Sequence, residues 1–354
     1  NLLDAGRQFS MREGYGYDGY GLLRSRSIEG GCTHLYTYTY KENAARDLDY
    51  ISFGDYKFKP LSDVNGRNTG KEIYNGENKV AAEYISYRKV GDHATNMPST
   101  VWFGSGAEMK DSIKYKYDAC GNICEIKGNG HIVAKYKYDA LNRLIREDNK
   151  ALNKTSVFTY DNSGNITERC EYAYTAKDGE ELSELECIHH SYKYNGDKLL
   201  SYDGEKCEYN NLGNPTKYRN KKVGWLFGKF LTEYDGNKFV YDSRGRRINK
   251  NGIHTLYDAE NNIIGNFDQL QFVYDDKGLA GVVQITKQYY AEDEEGNKTM
   301  LPDSTGSTGV AEVLVQYFYR KDAQGNIVAI LDETGNNYRN TPSQNREGMF
   351  LVKL

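Results

Sequence analysis

The sequence carries no surplus of charge of one sign, no long apolar run and no helical periodicity. Its 354 residues hold 46 basic and 50 acidic side chains, well mixed, for a net charge of −4. Nothing in that balance steers the chain toward nucleic acid or an anionic membrane surface. No stretch is long and apolar enough to cross a bilayer as a helix. No stretch joins a 3.6-residue apolar period to helix caps. Hydrophobic residues make up only 38% of the chain, and mean hydropathy is −0.79, which is low for a solid core of this length. Aromatic and strand-forming residues are too abundant for disorder, so an extended or hollow body with much wetted surface is expected. The first residue is Asn, with no initiator Met and no signal peptide; the expectation is an excised piece of a larger protein whose targeting segment lies elsewhere.

Chemistry-bearing constellations are equally scarce. The six cysteines are scattered at 32, 120, 124, 170, 187 and 207. Cys120 and Cys124 flank Gly121, and a disulfide across that turn is left open. Zinc needs about four ligands in paired spacings, and no second close pair of Cys or His supplies them. His189-His190 is the only histidine pair. Neighbours on a strand point to opposite faces, so the expectation is an exposed strand pair rather than a metal site. Gly245-Arg246-Arg247 is a turn exit and lacks the glycine-rich run before a helix that a phosphate loop needs. A glycosidase requires two carboxylates at a set separation in a cleft, and most of the aspartates are accounted for by a role in turns. No catalytic, cofactor-binding or metal-binding residue is assigned, and the chain is expected not to be an enzyme.

What the chain does have is tyrosine: 32 residues, against 12 Phe and 2 Trp. Tyr is followed by Asp or Asn twelve times. In nine copies, starting at Tyr17, Tyr74, Tyr117, Tyr138, Tyr160, Tyr209, Tyr241, Tyr257 and Tyr274, a Gly or Asn stands four residues after the Tyr. Asp or Asn opens a type I turn by bonding the backbone two residues on. The fifth residue must then take positive φ, which Gly does freely and Asn tolerates best. A type I turn followed by a left-handed residue is a hairpin connection. The copies at Tyr194, Tyr202 and Tyr234 instead carry Asn195-Gly196, Asp203-Gly204 and Asp235-Gly236, the dipeptides of two-residue hairpins. Tyr74-Asn75-Gly76-Glu77-Asn78 fits either class.

Both flanks of the turns have strand character. Ile113, Tyr115 and Tyr117 alternate with Lys114 and Lys116; 133–138 and 35–40 behave alike. An aliphatic residue often falls six after the Tyr, at Leu23, Val80, Ile123, Leu144, Ile166 and Ile263, while Pro215, Arg247 and Ala280 break that rule. Period two with Tyr, Thr, Ile and Val indicates half-buried strands. The organisation expected is an irregular N-terminal part over 1–112, with 91–112 as a loop; a repeat segment over 113–336; and a frayed tail over 337–354. Residues 176–187 form an acidic insertion, and 291–310 a long loop or hairpin tip. Residues 317–332 make one more unit with one inserted residue.

Units such as Tyr117-Asp118-Ala119-Cys120-Gly121-Asn122-Ile123 and Tyr160-Asp161-Asn162-Ser163-Gly164-Asn165-Ile166 resemble the tyrosine-aspartate (YD) repeats of bacterial Rhs proteins, toxin-complex C proteins, wall-associated protein A and teneurins. The resemblance is strong over 113–332 and weaker over 1–112. It implies an all-β fold of repeated antiparallel hairpins, part of a spiralling hollow β-sheet shell. It further implies a secreted or cell-surface protein whose partners are the remainder of the shell and an enclosed C-terminal toxin. Rhs cores end in a self-cleaving segment with an Asp-Pro-x-Gly signature; no Asp-Pro follows Leu331, so neither autoproteolysis nor toxicity is transferred. The alternative expectation is an adhesion or carbohydrate-binding module on the same repeats, with surface glycans stacked on Tyr.

Overall fold

The computed structural model describes residues 2–4, 7–9, 11–30, 34–105, 108–175, 182, 185–266, 270–293 and 295–338. Among them every regular element is a strand, and successive strands pair antiparallel. The chain divides into two units: residues 1–84, 103–110 and 253–354 in the first, and 85–102 with 111–252 in the second.

In the first unit, Arg12–Tyr17, Leu23–Glu29, His34–Tyr40, Leu48–Phe53, Tyr56–Ser62, Asn68–Asn75 and the start of Asn78–Val90 pair each with the next. A later run does the same: Ile253–Tyr257, Ile263–Asn266, Leu270–Asp275, Gly278–Glu292, Gly309–Lys321 and Ile327–Leu331. The two runs share a core of Tyr36, Ile51, Phe58, Ile73 and Ala81 against Val273, Ala280, Val283, Phe318 and Leu331. In the second unit, the part of Glu108–Tyr117 from Asp111 on, Ile123–Gly128, His131–Tyr138, Leu144–Asn149, Lys154–Tyr160, Ile166–Ala173, Ile188–Asn195, Lys198–Tyr202 and Glu205–Lys206 succeed one another in the ladder. The shorter strands between Glu208 and Lys250 continue the same alternation.

The period-two pattern is realised as expected at Ile113 and Tyr115, which are buried while Lys114 and Lys116 are exposed. At 34–37 the pleat overrides side-chain polarity: His34 and Tyr36 are buried, and Leu35 is turned outward.

The turns obey the dihedral demand. In the unit starting at Tyr160, the Asp161 carboxylate accepts the N–H groups of Ser163 and Asn165, each at 2.9 Å, through one oxygen. Its other oxygen accepts the Asn165 side-chain amide at 2.9 Å. Gly164 closes the turn at φ 88° and donates to the Asp161 carbonyl. Asn142 and Asn261 do the same work at φ 60° and 68°. The residue after the left-handed position belongs to the motif as well: Asn122, Arg143, Asn165, Arg246, Asn262 and Asn326 all return a side-chain donor to the Asp.

The structure corrects several expectations. Residues 91–112 are not a loop: His93–Ser105 and Glu108–Tyr117 are strands. Gly91, at φ 58°, only turns the chain, and at Gly104 a Cβ would lie 2.7 Å from the Glu108 carbonyl oxygen, so glycine there permits close approach of two backbones. The Tyr74 unit is the short class, with Gly76 at φ 58° and Asn75 paired to Asn78. At Tyr274 the partner is Leu279, five residues on, which is why Ala280 breaks the spacing rule. The last unit has no insertion: Lys321 occupies the tyrosine position before Asp322 and pairs with Ile327. The 291–310 segment is a hairpin tip, with Lys298–Leu301 folded on Gly278–Glu292. The 176–187 insertion and the 337–354 tail lie mostly outside the described residues.

At Gly164 no atom lies within 4 Å of the position a Cβ would take, so any cost of substitution is purely conformational. Gly164→Val should lose more than ~1 kcal/mol, because a β-branched residue is forced to positive φ, while Gly164→Asn should retain most of the stability. Urea midpoints of the two variants check this; equal values contradict the turn assignment.

Candidate functional site: hydroxyl ties and a tyrosine-lined cavity

Most tyrosines of the repeat stand just after a break in strand register; Tyr202 and Tyr234 pair without one. The break falls between Lys116 and Tyr117, Lys137 and Tyr138, Thr159 and Tyr160, and again before Tyr17, Tyr209, Tyr257 and Tyr274. The ladder to the preceding hairpin ends near the same level. Between Ile123–Gly128 and His131–Tyr138 the last backbone pair is Glu125 with Lys135, which leaves the Ile123 carbonyl beyond the ladder. The Tyr138 hydroxyl donates to it at 3.0 Å.

The arrangement recurs. Tyr160 donates to the Leu144 carbonyl at 2.6 Å, Tyr40 to Leu23 at 3.1 Å, Tyr209 to Leu199 at 2.9 Å and Tyr274 to Ile263 at 2.7 Å. Trp225 replaces Tyr in one unit, and its indole N–H reaches the Pro215 carbonyl at 2.6 Å. The tyrosine thus continues the ladder with a side-chain donor where two backbones diverge. A buried carbonyl left without a partner is costly, and Phe cannot supply one. The sequence signals the acceptor, which is usually the residue six after each Tyr. It does not signal the partner, because the donor belongs to the next hairpin.

Two repeat aspartates do more than hold a turn. Asp258 accepts Asn262 N–H at 2.7 Å within its turn and also the Arg26 guanidinium at 2.7 Å, across 232 residues of sequence. Its side chain is fully buried, beside an Arg26 that is 9% exposed. Burial alone would raise the Asp258 pKa, but the Arg26 and Asn262 donors outweigh it and hold the carboxyl below its usual range. Glu13 completes the cluster, accepting the Ala259 N–H at 2.6 Å, the Tyr15 hydroxyl at 2.6 Å and Arg26 at 3.4 Å. That bond to Glu13, with burial, raises the Tyr15 pKa to about 12. Asp275 similarly holds Lys71 at 2.9 Å, with the carboxylate 1% exposed. Next to Lys71, burial pushes Glu83 up and Lys321 down.

Beside these pairs, within the first unit, lies a cavity of about 440 Å³. Tyr15, Tyr36, Tyr38, Tyr40 and Tyr274 form its walls, and Arg26, Glu260, Asp275 and Asp276 bring charge to it. A second void, of about 20 Å³ and bordered by Lys71 and Glu83, has room for a single water.

The residues weighed for metal chemistry are not brought together. Among the described residues no group of three or more His, Cys, Asp or Glu is placed to hold a metal ion. His189 is exposed and 3.6 Å from Glu168, but His190 is not the exposed residue expected: its ring bonds Asp203 at 2.6 Å and Tyr202 at 3.0 Å. Burial alone would raise Asp203, but the bond from His190 and the Ser191 N–H hold it low. Cys120 and Cys124 are free thiols, as are Cys170, Cys187 and Cys207; Cys32 lies outside the described residues. Gly245 sits at φ 82° in the turn that Asp242 and Arg246 close, as the turn-exit assignment requires.

No protein-family model matches the sequence, and no curated protein matches it. Solved structures do. A Photorhabdus luminescens Tc holotoxin pore carrying the TccC3 mutation D651A matches over 91% of this chain with a TM-score of 0.53 and 13% identity. The chain shares the fold of the segments it matches, an all-β run of antiparallel hairpins. TcdB2-TccC3 without its hypervariable C-terminal region gives a TM-score of 0.50 at 12% identity, again over 91% of this chain. The matched part spans 17% and 19% of those two chains, so the likeness is one of fold.

Tyr138→Phe and Tyr160→Phe should each lose about 1 kcal/mol, the net value of one hydrogen bond to a carbonyl left otherwise unpaired; thermal unfolding equal to the parent would show that the ring alone matters. A second measurement concerns His34. It is 0% exposed, and its ring nitrogens make no hydrogen bond of ordinary geometry, with Gln271 the polar group facing it. Burial and the nearby Arg26 charge lower its pKa to about 4. A folded-state value below the unfolded one means stability is intact above the unfolded pKa, roughly 6.5, and is lost as pH falls toward the folded value. Urea midpoints should therefore decline between those two pH values, and His34→Leu should flatten the decline; the same slope in both proteins would contradict it.

Proposed function

We propose that this chain is a non-catalytic wall segment of a larger YD-repeat shell that encloses or presents a C-terminal effector of a secreted or surface-delivered protein. The observation that carries this reading is the hydroxyl tie. Adjacent hairpins are joined edge to edge by ladder and tyrosine, unit after unit, in a body that grows by addition. Such a wall can be extended at either end without a new core. The short coverage of the matched chains supports a part within a longer wall. The structure described as lacking a hypervariable C-terminal region supports, by analogy of fold, a variable segment beyond the wall.

An adhesion or carbohydrate-binding role on the same repeats has less support. The ring hydroxyls of Tyr138, Tyr160, Tyr209 and Tyr274, which a sugar would otherwise meet, are committed to backbone carbonyls.

Containment is tested on the full gene product, expressed intact. Its C-terminal region is exposed to proteinase K within that product and, in parallel, as a separate polypeptide. Containment requires much slower digestion within the full product; equal rates would refute it. A glycan array probed with the same protein separates the rival, which requires binding that is lost when exposed tyrosines such as Tyr17 and Tyr20 are replaced.

A further inference from the structure

We propose that the tyrosine-lined cavity of the first unit is a binding site for a guanidinium or ammonium group carried on an aliphatic stem, as on an arginine or lysine side chain. This goes beyond the shell reading and does not depend on what the shell contains.

A cavity of about 440 Å³ falls in the range of ligand pockets, and it is far larger than the one-water void beside Lys71. Five tyrosines line it, with Leu23, Leu48 and Ile51 beside them. Tyr38 and Tyr40 come from one strand, Tyr15 from another strand of the same run, and Tyr274 from the later run that packs on them. Aromatic faces attract cations more strongly as water is excluded. The same unit already uses this contact: the Arg24 guanidinium lies 5.1 Å from the Tyr40 ring centroid, and that of Arg26 lies 5.9 Å from Tyr15.

Charge decides the sign of the guest. Arg26 lines the cavity but is committed to Asp258 and Glu13. Asp275 is committed to Lys71, and Asp276 meets Lys277 at 3.0 Å. Glu260 has a different position: its contact is a weak one from the Asn262 amide at 3.4 Å. It stands in the turn that Arg26 and Glu13 clamp, close enough to Tyr38 to help raise that phenol's pKa, after burial. The charged residues that line the cavity are thus three carboxylates (Glu260, Asp275 and Asp276) and one guanidinium (Arg26), an excess of negative charge among tyrosine rings. An anion would meet that excess, and a neutral sugar would leave Glu260 unneutralised. A cation on a flexible stem satisfies both the rings and the carboxylate.

The test uses calorimetric titration at low salt with four probes: N-acetyl-arginine amide, an acetyl-Gly-Arg-Gly amide peptide, N-acetyl-aspartate amide and maltotriose. Both arginine probes should bind, and the aspartate probe and the sugar should not. Tighter binding of the peptide identifies a polypeptide source, and equal binding a free cation; the chemistry holds in both cases. Glu260 is exposed in its turn, so Glu260→Gln should fold normally, which circular dichroism checks, yet weaken the arginine probes about five-fold. Glu295→Gln, in a turn away from the cavity, should leave them unchanged. No arginine binding, an equal response of the two variants, or preferential binding of maltotriose would each overturn the proposal.

Discussion

One hydrogen bond organises this fold: a tyrosine hydroxyl donating to a backbone carbonyl of the hairpin before it. The reason is geometric. A two-stranded turn with a bulge bends and twists its strands, so neighbouring hairpins part company near their tips. Backbone pairing ends at Glu125 and Lys135, at Arg146 and Val157, and at Gly265 and Gln271. In each case a carbonyl just beyond, that of Ile123, Leu144 or Ile263, is taken by a phenol. Sheet growth therefore does not stop where backbones diverge. The low apolar content is consistent with this, because polar ties supplement a core that burial alone would have to supply.

The turn and the tie are one device. Asp fixes the backbone through two N–H groups, Gly or Asn reverses it, and a succeeding Asn or Arg returns a donor to the Asp. The dipeptide Tyr-Asp is the seam between them: its first residue belongs to the neighbouring hairpin's chemistry, its second to its own turn. At Asp258 and Asp275 the carboxylate also takes a cation from a distant strand. Replacing one partner of such a buried pair leaves an uncompensated charge, which is far costlier than losing an exposed pair.

The local part of this device is legible in the sequence. Positive φ is a demand on one residue, so Gly121, Asn142 and Gly164 announce it directly. Alternation over 113–117 announces the buried face. The partners of those residues are hidden, since a hydroxyl's acceptor lies in another hairpin and Arg26 lies 232 residues from Asp258. Units without tyrosine are hidden too. Ser62-Asp63, Trp225-Leu226 and Leu331-Asp332 occupy the same seam, because the turn depends on the residues after the seam and not on the ring. The strand at 93–105 is masked by its composition: Pro98 sits in it with its carbonyl accepting the Tyr117 hydroxyl at 2.7 Å.

The span of the Arg26–Asp258 pair has a kinetic meaning. Nearly all other ties join hairpins adjacent in sequence, so the order of assembly can track the order of synthesis, each hairpin docking on one already formed. Loop-closure entropy is small for such steps and grows with the length of chain that must be brought together. The contact between Arg26 and Asp258 closes a far longer loop, and topologies rich in distant contacts reach their native state slowly. The early hairpins of the first unit must hold their shape, with the Glu13 carboxylate and the Arg26 guanidinium awaiting Asp258, until the later strands have been made.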